Sequence, residues 1–451
     1  MATGQYKKMT RTSPRILVLK LCVPTIVSML VTNIYNLADT YFVNKIGIGA
    51  GGAVGIVFSL MAIIQAIGFM LGHGSGSIVS QSLGRQQVSD ASRIAATAFW
   101  ASLSGGAILS LLGLCFLKPL MRLLGSTETI LPYACNYGRC ILIAAPFMTA
   151  GCTMNNLLRY EGLAILSMLG LGTGAVLNIV LTPLLMFGFN MGVSGAGVST
   201  AISQAISFSI LLSMFLRGRT QCRISIKNIT RNSSEFRHIL KNGMPSLARQ
   251  GLNSVSSMVL NHQAGIYGDA AITAVSIVFR ICNFISSLAV GIGQGMQPVI
   301  GFNYGAKMFR RVRQTFTFTY VLSQLALGCL AMGCFSLSHL ILSGFNRDMQ
   351  VLTVATPMFH IQCFSLLLHP LIICGNMLFQ CLGISGKATL LSSLRSGLVL
   401  IPLLFILTRC FGLVGLQMSQ AISDTIAFII VLPMVILFML KLPATDEAPA
   451  G

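Results

Sequence analysis

Apolar residues run along this chain in long blocks, and polar residues gather in the short gaps between them. The blocks predict twelve membrane-spanning helices, at 21–43, 50–72, 94–117, 132–156, 163–187, 193–216, 239–265, 271–301, 315–341, 352–379, 388–408 and 412–440. Each is long enough to cross a hydrocarbon layer of about 30 Å. The expected fold is therefore all-α and polytopic, with short connections.

The first block breaks its own pattern. Lys20 and Lys45 bracket it, 25 residues apart, which as a helix is roughly 37 Å. Within it Thr32, Tyr35, Asn36 and Asp39 recur at i, i+3, i+4 and i+7 and form one polar stripe. A carboxylate at membrane depth costs about 3 kcal/mol, so Asp39 must face protein or a water-filled cavity. Such an acid reads first as an ion or substrate site. The alternative is a structural hydrogen bond between helices.

Composition sharpens the class. Of 451 residues, 54% are hydrophobic and 9% charged, with a mean hydropathy of +0.80. Soluble proteins carry about 25% charged residues. Ten acids stand against 30 Lys and Arg, a net charge of +20. Twenty-two of the basic residues fall on one side of the predicted spans and six on the other, with Arg249 and Arg280 inside spans. That bias places both termini in the cytoplasm of a cell-membrane protein. The charge is thus a topology signal, and no nucleic-acid partner is expected. The basic N-terminus reads as a cytoplasmic tail and not as a signal peptide. Thirteen cysteines lie in apolar segments without metal-ligand spacing and read as small hydrophobes.

The chain also repeats itself. At an offset of 221, Pro24 matches Pro245, Ile56-Val57-Phe58 matches Ile277-Val278-Phe279, and Gly72-His73-Gly74 matches Gly293-Gln294-Gly295. Near the ends of the halves the offset is 220, where Ala201-Ile202-Ser203 matches Ala421-Ile422-Ser423. This divides the chain into an amino half at 1–216, a basic linker at 217–238 and a carboxyl half at 239–451. Six spans is an even number, so both halves cross in the same sense. The expected architecture is two six-helix lobes related by a pseudo-twofold axis along the membrane normal, a layout that marks transporters.

Six segments in order resemble one family. NLADTYFVNKIG, GHGSGSIVSQSLGR, LLRYEG, LNIVLTPLLMFGF, GVSGAGVSTAISQ and GIGQGMQPVIGFNYGAK are similar to those of the multidrug and toxic compound extrusion (MATE) family, in its bacterial MepA-like branch. The resemblance covers about residues 15 to 440. It implies a V-shaped pair of lobes that exports amphipathic, often cationic compounds in exchange for protons or sodium ions. It also implies a coupling site in the amino lobe built on Asp39, with Asn178 and an acid four residues later, where this chain has Thr182. Thr200 belongs to that set, and Tyr137 and Asn155 or Asn156 are expected to join it, with Asn36 from the first-span stripe. Family members that use acids in spans seven and ten have no counterpart here, since 239–265 and 352–379 contain none.

The residues alone permit the same chemistry. Asn178 and Thr182 are one helical turn apart. An Asp oxygen, an amide and hydroxyls can hold a protonated carboxyl or coordinate Na⁺ at Asp39; with a single acid, protons are preferred to sodium. No other metal and no bound cofactor is expected. Asp424, His262, Arg280 and Gln294 are candidates for a substrate cavity. For Asp424, near Gln417 and Gln420, structure and function stand level. His262, beside Asn261 and near the repeat position of Asp39, can equally be a satisfied contact. Arg249 and Arg280 are expected to line the cavity or to pair with Asp269 or Asp424. The motif glycines are expected to serve tight helix packing or bending. The function expected is secondary active antiport of drug-like substrates by a monomer in the bilayer. The alternative is a flippase or exporter of a lipid-linked or other endogenous metabolite. A channel or receptor fits the repeat less well. No nucleotide-binding loop of the GxxxxGK[ST] kind is present, so neither enzyme chemistry nor ATP hydrolysis is expected.

Overall fold

A computed structural model describes residues 2–46, 48–230, 232–443 and 446. A short helix α1 (Ala2–Arg11) precedes α2 (Pro14–Asn44), which starts on a proline whose missing N–H is no loss there. Helices α3 (Ile48–Gly84), α4 (Val88–Cys115), short α5 (Leu117–Leu123), α6 (Leu131–Tyr160), α7 (Ala164–Pro183) and α8 (Gly192–Leu216) complete the amino half. The carboxyl half holds α9 (Ser233–Gly265), α10 (Asp269–Gly305), α11 (Phe309–Ser336), short α12 (Ser338–Phe345), α13 (Met349–Leu366), α14 (His369–Cys381), α15 (Ser385–Ser393) and α16 (Leu400–Lys441). The described residues contain no strand.

Among the described residues, nine stretches are long and apolar enough to cross a membrane, and α13 with α14, bent by 49°, makes a tenth. One of the nine, Ser385–Lys441, is 57 residues long and breaks at Gly412, whose φ of 57° suits glycine, so it supplies two crossings. The 33-residue α9 is helical but too rich in Ser, Asn and Gln to qualify by composition. These make up the twelve expected crossings. The chain is an all-α, polytopic membrane protein.

Two expected boundaries are corrected. Helices α3 and α10 run on to Gly84 and Gly305, past the predicted ends at 72 and 301; GHGSG therefore lies inside a helix, as GIGQG does, and both are buried there. Glycine costs helix stability, and close packing offsets it. A Cβ on Gly74 would strike the Ile239 carbonyl, and one on Gly243 would strike the Met70 carbonyl, so α3 and α9 touch backbone to backbone. In the carboxyl half a Cβ on Gly295 would meet the backbone of Cys22, and one on Gly291 that of Ile26, which brings α10 against α2.

Those contacts explain how the chain divides. One compact unit is Met1–Thr12 with Val27–Leu247, and the other is Ser13–Ile26 with Ala248–Gly451. Helices α2 and α9 each change unit two residues after their matched prolines, Pro24 and Pro245. Proline removes one hydrogen bond of the helical ladder and permits a bend at that point. The repeat is visible within each unit as well. Asn155 Nδ2 donates to the Ser167 carbonyl at 2.9 Å, and Asn376 Nδ2 donates to the Ala388 carbonyl at 2.7 Å, a match at an offset of 221. In the first unit the core packs around Val57, Leu60, Ile64, Ile141, Leu142 and Ala196.

The 217–238 linker is not free chain. Trp100 Nε1 on α4 donates to the Ile224 carbonyl at 3.2 Å, and Ser92 and Thr97 accept from the amides of Arg223 and Thr230. Beneath this strap lies Glu161, fully buried at the end of α6. Its Oε2 accepts from the Gln221 amide at 2.7 Å, and its Oε1 has no partner among the described residues. Burial pushes this carboxyl up to about 7, against smaller opposing effects from Gln221 and Cys222. Burial, and then the Glu161 charge, pushes the Cys222 thiol up as well. Gln5 of α1 donates to the carbonyls of Glu161 and Gly162.

Candidate functional site: a buried carboxylate in each unit

The stripe on α2 turns Asp39 into the first unit, where 2% of the residue remains exposed. Three other helices meet it. From α7, Thr182 Oγ1 donates to Asp39 Oδ1 at 2.9 Å. From α8, Thr200 Oγ1 donates to Oδ2 at 3.5 Å. From α6, the buried Tyr137 side chain stands beside the same carboxylate. Behind them Ser199 Oγ lies 2.9 Å from Thr182 Oγ1, and Asn178 Nδ2 donates to Ser199 and Thr200 at 3.4 and 3.2 Å. All six side chains are buried.

Local structure explains the convergence. Asn178 and Thr182 share one face of α7, and Ser199 and Thr200 stand on the facing turn of α8. Directly after Pro183 the helix widens into a π turn at Leu184–Gly188, a feature frequent at functional sites. Among the described residues Asp39 forms no ion pair. Its partners are hydroxyls, which can turn. Thr200 Oγ1 also reaches the Ala196 carbonyl at 3.1 Å, and Ser199 Oγ the Asn178 carbonyl at 3.3 Å. With their protons on those carbonyls, both oxygens become acceptors. The same cage can therefore donate to a carboxylate or accept around a carboxylic acid or a small cation. Asn178 Oδ1, buried and without a partner among the described residues, is one more acceptor.

The structure thus brings together Asp39, Tyr137, Asn178, Thr182 and Thr200, and adds Ser199, which the sequence reading omitted. Its signal was there: Ser199 adjoins Thr200 and matches Ser419 in the repeat. Three expected members lie elsewhere. Asn36 is half-buried, with no side-chain bond to Asp39 among the described residues. Asn155 ties α6 to Ser167. Asn156 accepts from Arg159 Nη2, which also meets His73 Nε2 at 2.9 Å, while His73 Nδ1 lies 2.6 Å from Ser246 Oγ on α9. The reason is distance along α6: residues 155 and 156 follow Tyr137 by some five helical turns, roughly 27 Å.

The second unit holds a buried acid of its own, not in predicted spans seven and ten, which contain none, but at the candidate Asp424. Asp424 of α16 is fully buried. Its Oδ1 accepts from Arg395 Nε at 3.0 Å and Gln420 Nε2 at 3.2 Å. Its Oδ2 accepts from Ser365 Oγ at 2.5 Å and lies 3.0 Å from His369 Nε2. Ser286 Oγ of α10 lies 2.9 Å from His369 Nδ1. Arg395 is one of the 22 basic residues that the sequence reading assigns to the cytoplasmic side, but it lies in a π turn at Leu394–Leu398 that aims it at Asp424. Arg395, not Arg249 or Arg280, is therefore the partner of Asp424. Arg280 and His262 are exposed, and Gln294 is buried within α10. Gln417 is spent on the Val354 carbonyl. His369 escaped the sequence reading because one histidine in an apolar run gives no pattern.

A chain of this kind, helical throughout and built from a repeated bundle with polar side chains buried at membrane depth, has the makeup of a polytopic transporter. It belongs to the MatE family, whose model matches residues 24–184 and 245–406, one copy in each half. Similar proteins include the multidrug export protein MepA of Staphylococcus saprophyticus, 27% identical over 420 residues, covering 93% of this chain and 92% of that one. MepA of Staphylococcus aureus is 26% identical over 423 residues, with the same coverage. Among solved structures, an outward-facing multidrug resistance MATE transporter of the MOP superfamily shares the fold with a TM-score of 0.92 at 22% identity, covering 97% of this chain and 98% of its own. A MATE in the straight conformation matches at 0.92 and 22%, covering 97% and 99%.

Proposed function

We propose that this protein is a secondary antiporter that exports amphipathic, drug-like compounds, often cationic, in exchange for protons, with Asp39 as the coupling residue. The observation that carries the reading is the setting of Asp39: an acid buried at membrane depth, caged by reorientable hydroxyls and unpaired with any cation among the described residues. A salt-bridged acid is already neutralised. This one is left to exchange its own proton. Sodium is the alternative ion, since the cage offers only oxygens and hard cations take oxygen ligands. The names of the MepA relatives support drug-like cargo.

Coupling requires the ion and the cargo to favour different conformations. Protonation of Asp39 removes a negative charge from the interior of the first unit, and that difference is what the cycle can use. In this reading 1–216 and 239–451 act as the transport lobes, joined by the 217–238 linker, with both termini cytoplasmic. The protein works in the cell membrane as a monomer that translocates and does not catalyse.

The test is dye efflux from proteoliposomes with pH and sodium gradients imposed separately. A pH gradient alone should drive dye against its concentration. Accumulation driven by sodium alone would exchange the ion and keep Asp39. Failure of both gradients would overturn antiport.

A further inference from the structure

The Asp424 cluster differs in kind from the Asp39 cage, and the repeat does not demand it. At an offset of 221, His369 and Arg395 correspond to Met148 and Gly174, and at 220 Asp424 corresponds to Gln204. The amino half folds with none of these charges. Asp39, in turn, corresponds to Leu260. The second unit therefore carries an ionisable group that its repeat partner folds without.

Its geometry is that of an exchange. His369 Nε2 lies 3.0 Å from Asp424 Oδ2 and Nδ1 lies 2.9 Å from Ser286 Oγ. With the hydrogen on Nε2, the ring donates to Asp424, accepts from Ser286 at Nδ1 and is neutral. Arg395 Nη2 stands 3.3 Å from Nδ1 and 3.2 Å from Nε2, with Nε on Asp424 Oδ1. A proton on His369 would put two positive charges against each other in a buried space, where Coulomb forces are strong. The carboxylate of Asp424 compensates one of them, not both. The aspartate and histidine are buried, whereas 26% of the Arg395 side chain is exposed, so Arg395 is the member with room to withdraw. It sits on a π turn beside Gly397, a local widening of the helix.

We propose that His369 and Asp424 form a second proton-binding site, in which a proton on His369 Nδ1 and the guanidinium of Arg395 occupy the cluster alternately. One proton passes from a hydronium ion to Nδ1, leaving water; Ser286 turns its hydroxyl from donor to acceptor, Nε2–H stays on Asp424, and Arg395 releases Asp424 Oδ1 and the ring as it withdraws to water. The other titratable groups around the cluster are Cys282 of α10, with Cys363 of α13 and Cys334 of α11 beyond it. None of them is a cation, and among the described residues Arg395 is the cation that meets the ring. The proposal extends the antiport reading but does not need Asp39 to be the coupling residue.

The experiment reads the proton directly. Full-length protein labelled with ¹⁵N-histidine is placed in lipid nanodiscs, and the imidazole nitrogen shifts report each ring's charge. His369→Gln identifies its signals among the six histidines. The wild-type ring should be neutral with Nε2 protonated near pH 7, and in Arg395→Gln it should become cationic by about pH 6. Arg395→Lys, which keeps a charge, should restore the neutral ring and controls for disturbed folding. In proteoliposomes Arg395→Gln should change the proton concentration that half-saturates efflux by about tenfold or more. Asp39→Asn should leave the His369 shifts unmoved, so failure of the Asp39 reading shows in transport and failure of this one in the spectrum. A ring that stays neutral in Arg395→Gln down to about pH 5, well below the ordinary histidine range, would overturn the proposal.

Discussion

Thr182 Oγ1 donates to Asp39 Oδ1 at 2.9 Å, at the position where the family pattern implies a second acid. A hydroxyl there reverses the local interaction. A carboxylate would repel Asp39, whereas the threonine binds it and brings Ser199 into the cage. The pocket keeps one ionisable acid, which under the antiport proposed above would carry one charge per cycle.

Asp39→Asn keeps the size of the side chain and cannot titrate. It should fold, bind dye within about threefold of the parent, and lose gradient-driven efflux by tenfold or more, the scale of a typical coupling energy. Dye polarisation on purified protein and efflux from proteoliposomes check the two halves of this. A variant that pumps at the parental rate removes Asp39 from the mechanism.

Thr182 can be changed in two directions. Thr182→Val keeps the shape and deletes the donor, leaving a buried carboxylate oxygen under-satisfied, at a cost of about 1–3 kcal/mol. Thr182→Asp places two carboxylates side by side, which then hold a proton between them and should move the pH profile of efflux toward alkaline values. Thermal unfolding in detergent reads the first, and efflux against pH the second. An unshifted profile in Thr182→Asp would mean that the two side chains are not coupled.

The motif glycines make a stability prediction. Gly243→Ala and Gly295→Ala push a methyl group into backbone that has no room to move, and each should cost at least the 1–3 kcal/mol typical of overpacking. Gly172→Ala, on α7 with open space around it, should be neutral or slightly stabilising through helix propensity. Equal melting temperatures across the three would contradict the close packing of α3 on α9 and of α10 on α2.

What the sequence revealed follows from the range of each interaction. Spans show as apolar blocks because the bilayer imposes a length, and Asp39 stood out because an acid in such a block is costly. The repeat placed Pro24 and Pro245 in register, yet nothing in the pattern showed that the chain changes units just beyond them. Ser199 and Thr200 were close enough to a known position to be found or nearly found. Arg395 was misassigned because it was counted with the loop charges although it falls inside the predicted span 388–408. Only the π turn, a backbone feature, points it at Asp424. Asn156 failed for the opposite reason: its sequence neighbourhood looked right, but five helical turns separate it from Tyr137.

Glu161 supplies a pH prediction outside the membrane. Its carboxyl is raised from the ordinary 4.5 to about 7 by burial under the linker. The folded state thus holds the proton more tightly than the unfolded chain does. The stability this contributes is fully present below about 4.5 and is lost as pH rises through about 7, by about 3 kcal/mol in all. Part of that loss should appear locally, as loosening of the strap at 219–229, whose Gln221 amide binds the carboxylate. Hydrogen exchange of those amides, corrected for the intrinsic pH dependence, should show weaker protection at pH 8 than at pH 6. Glu161→Gln keeps an acceptor for the Gln221 amide and carries no charge, so its protection should be equal at both values and at pH 8 exceed that of the parent. Parental protection that does not change between pH 6 and pH 8 would show that the charge on Glu161 does not control the strap.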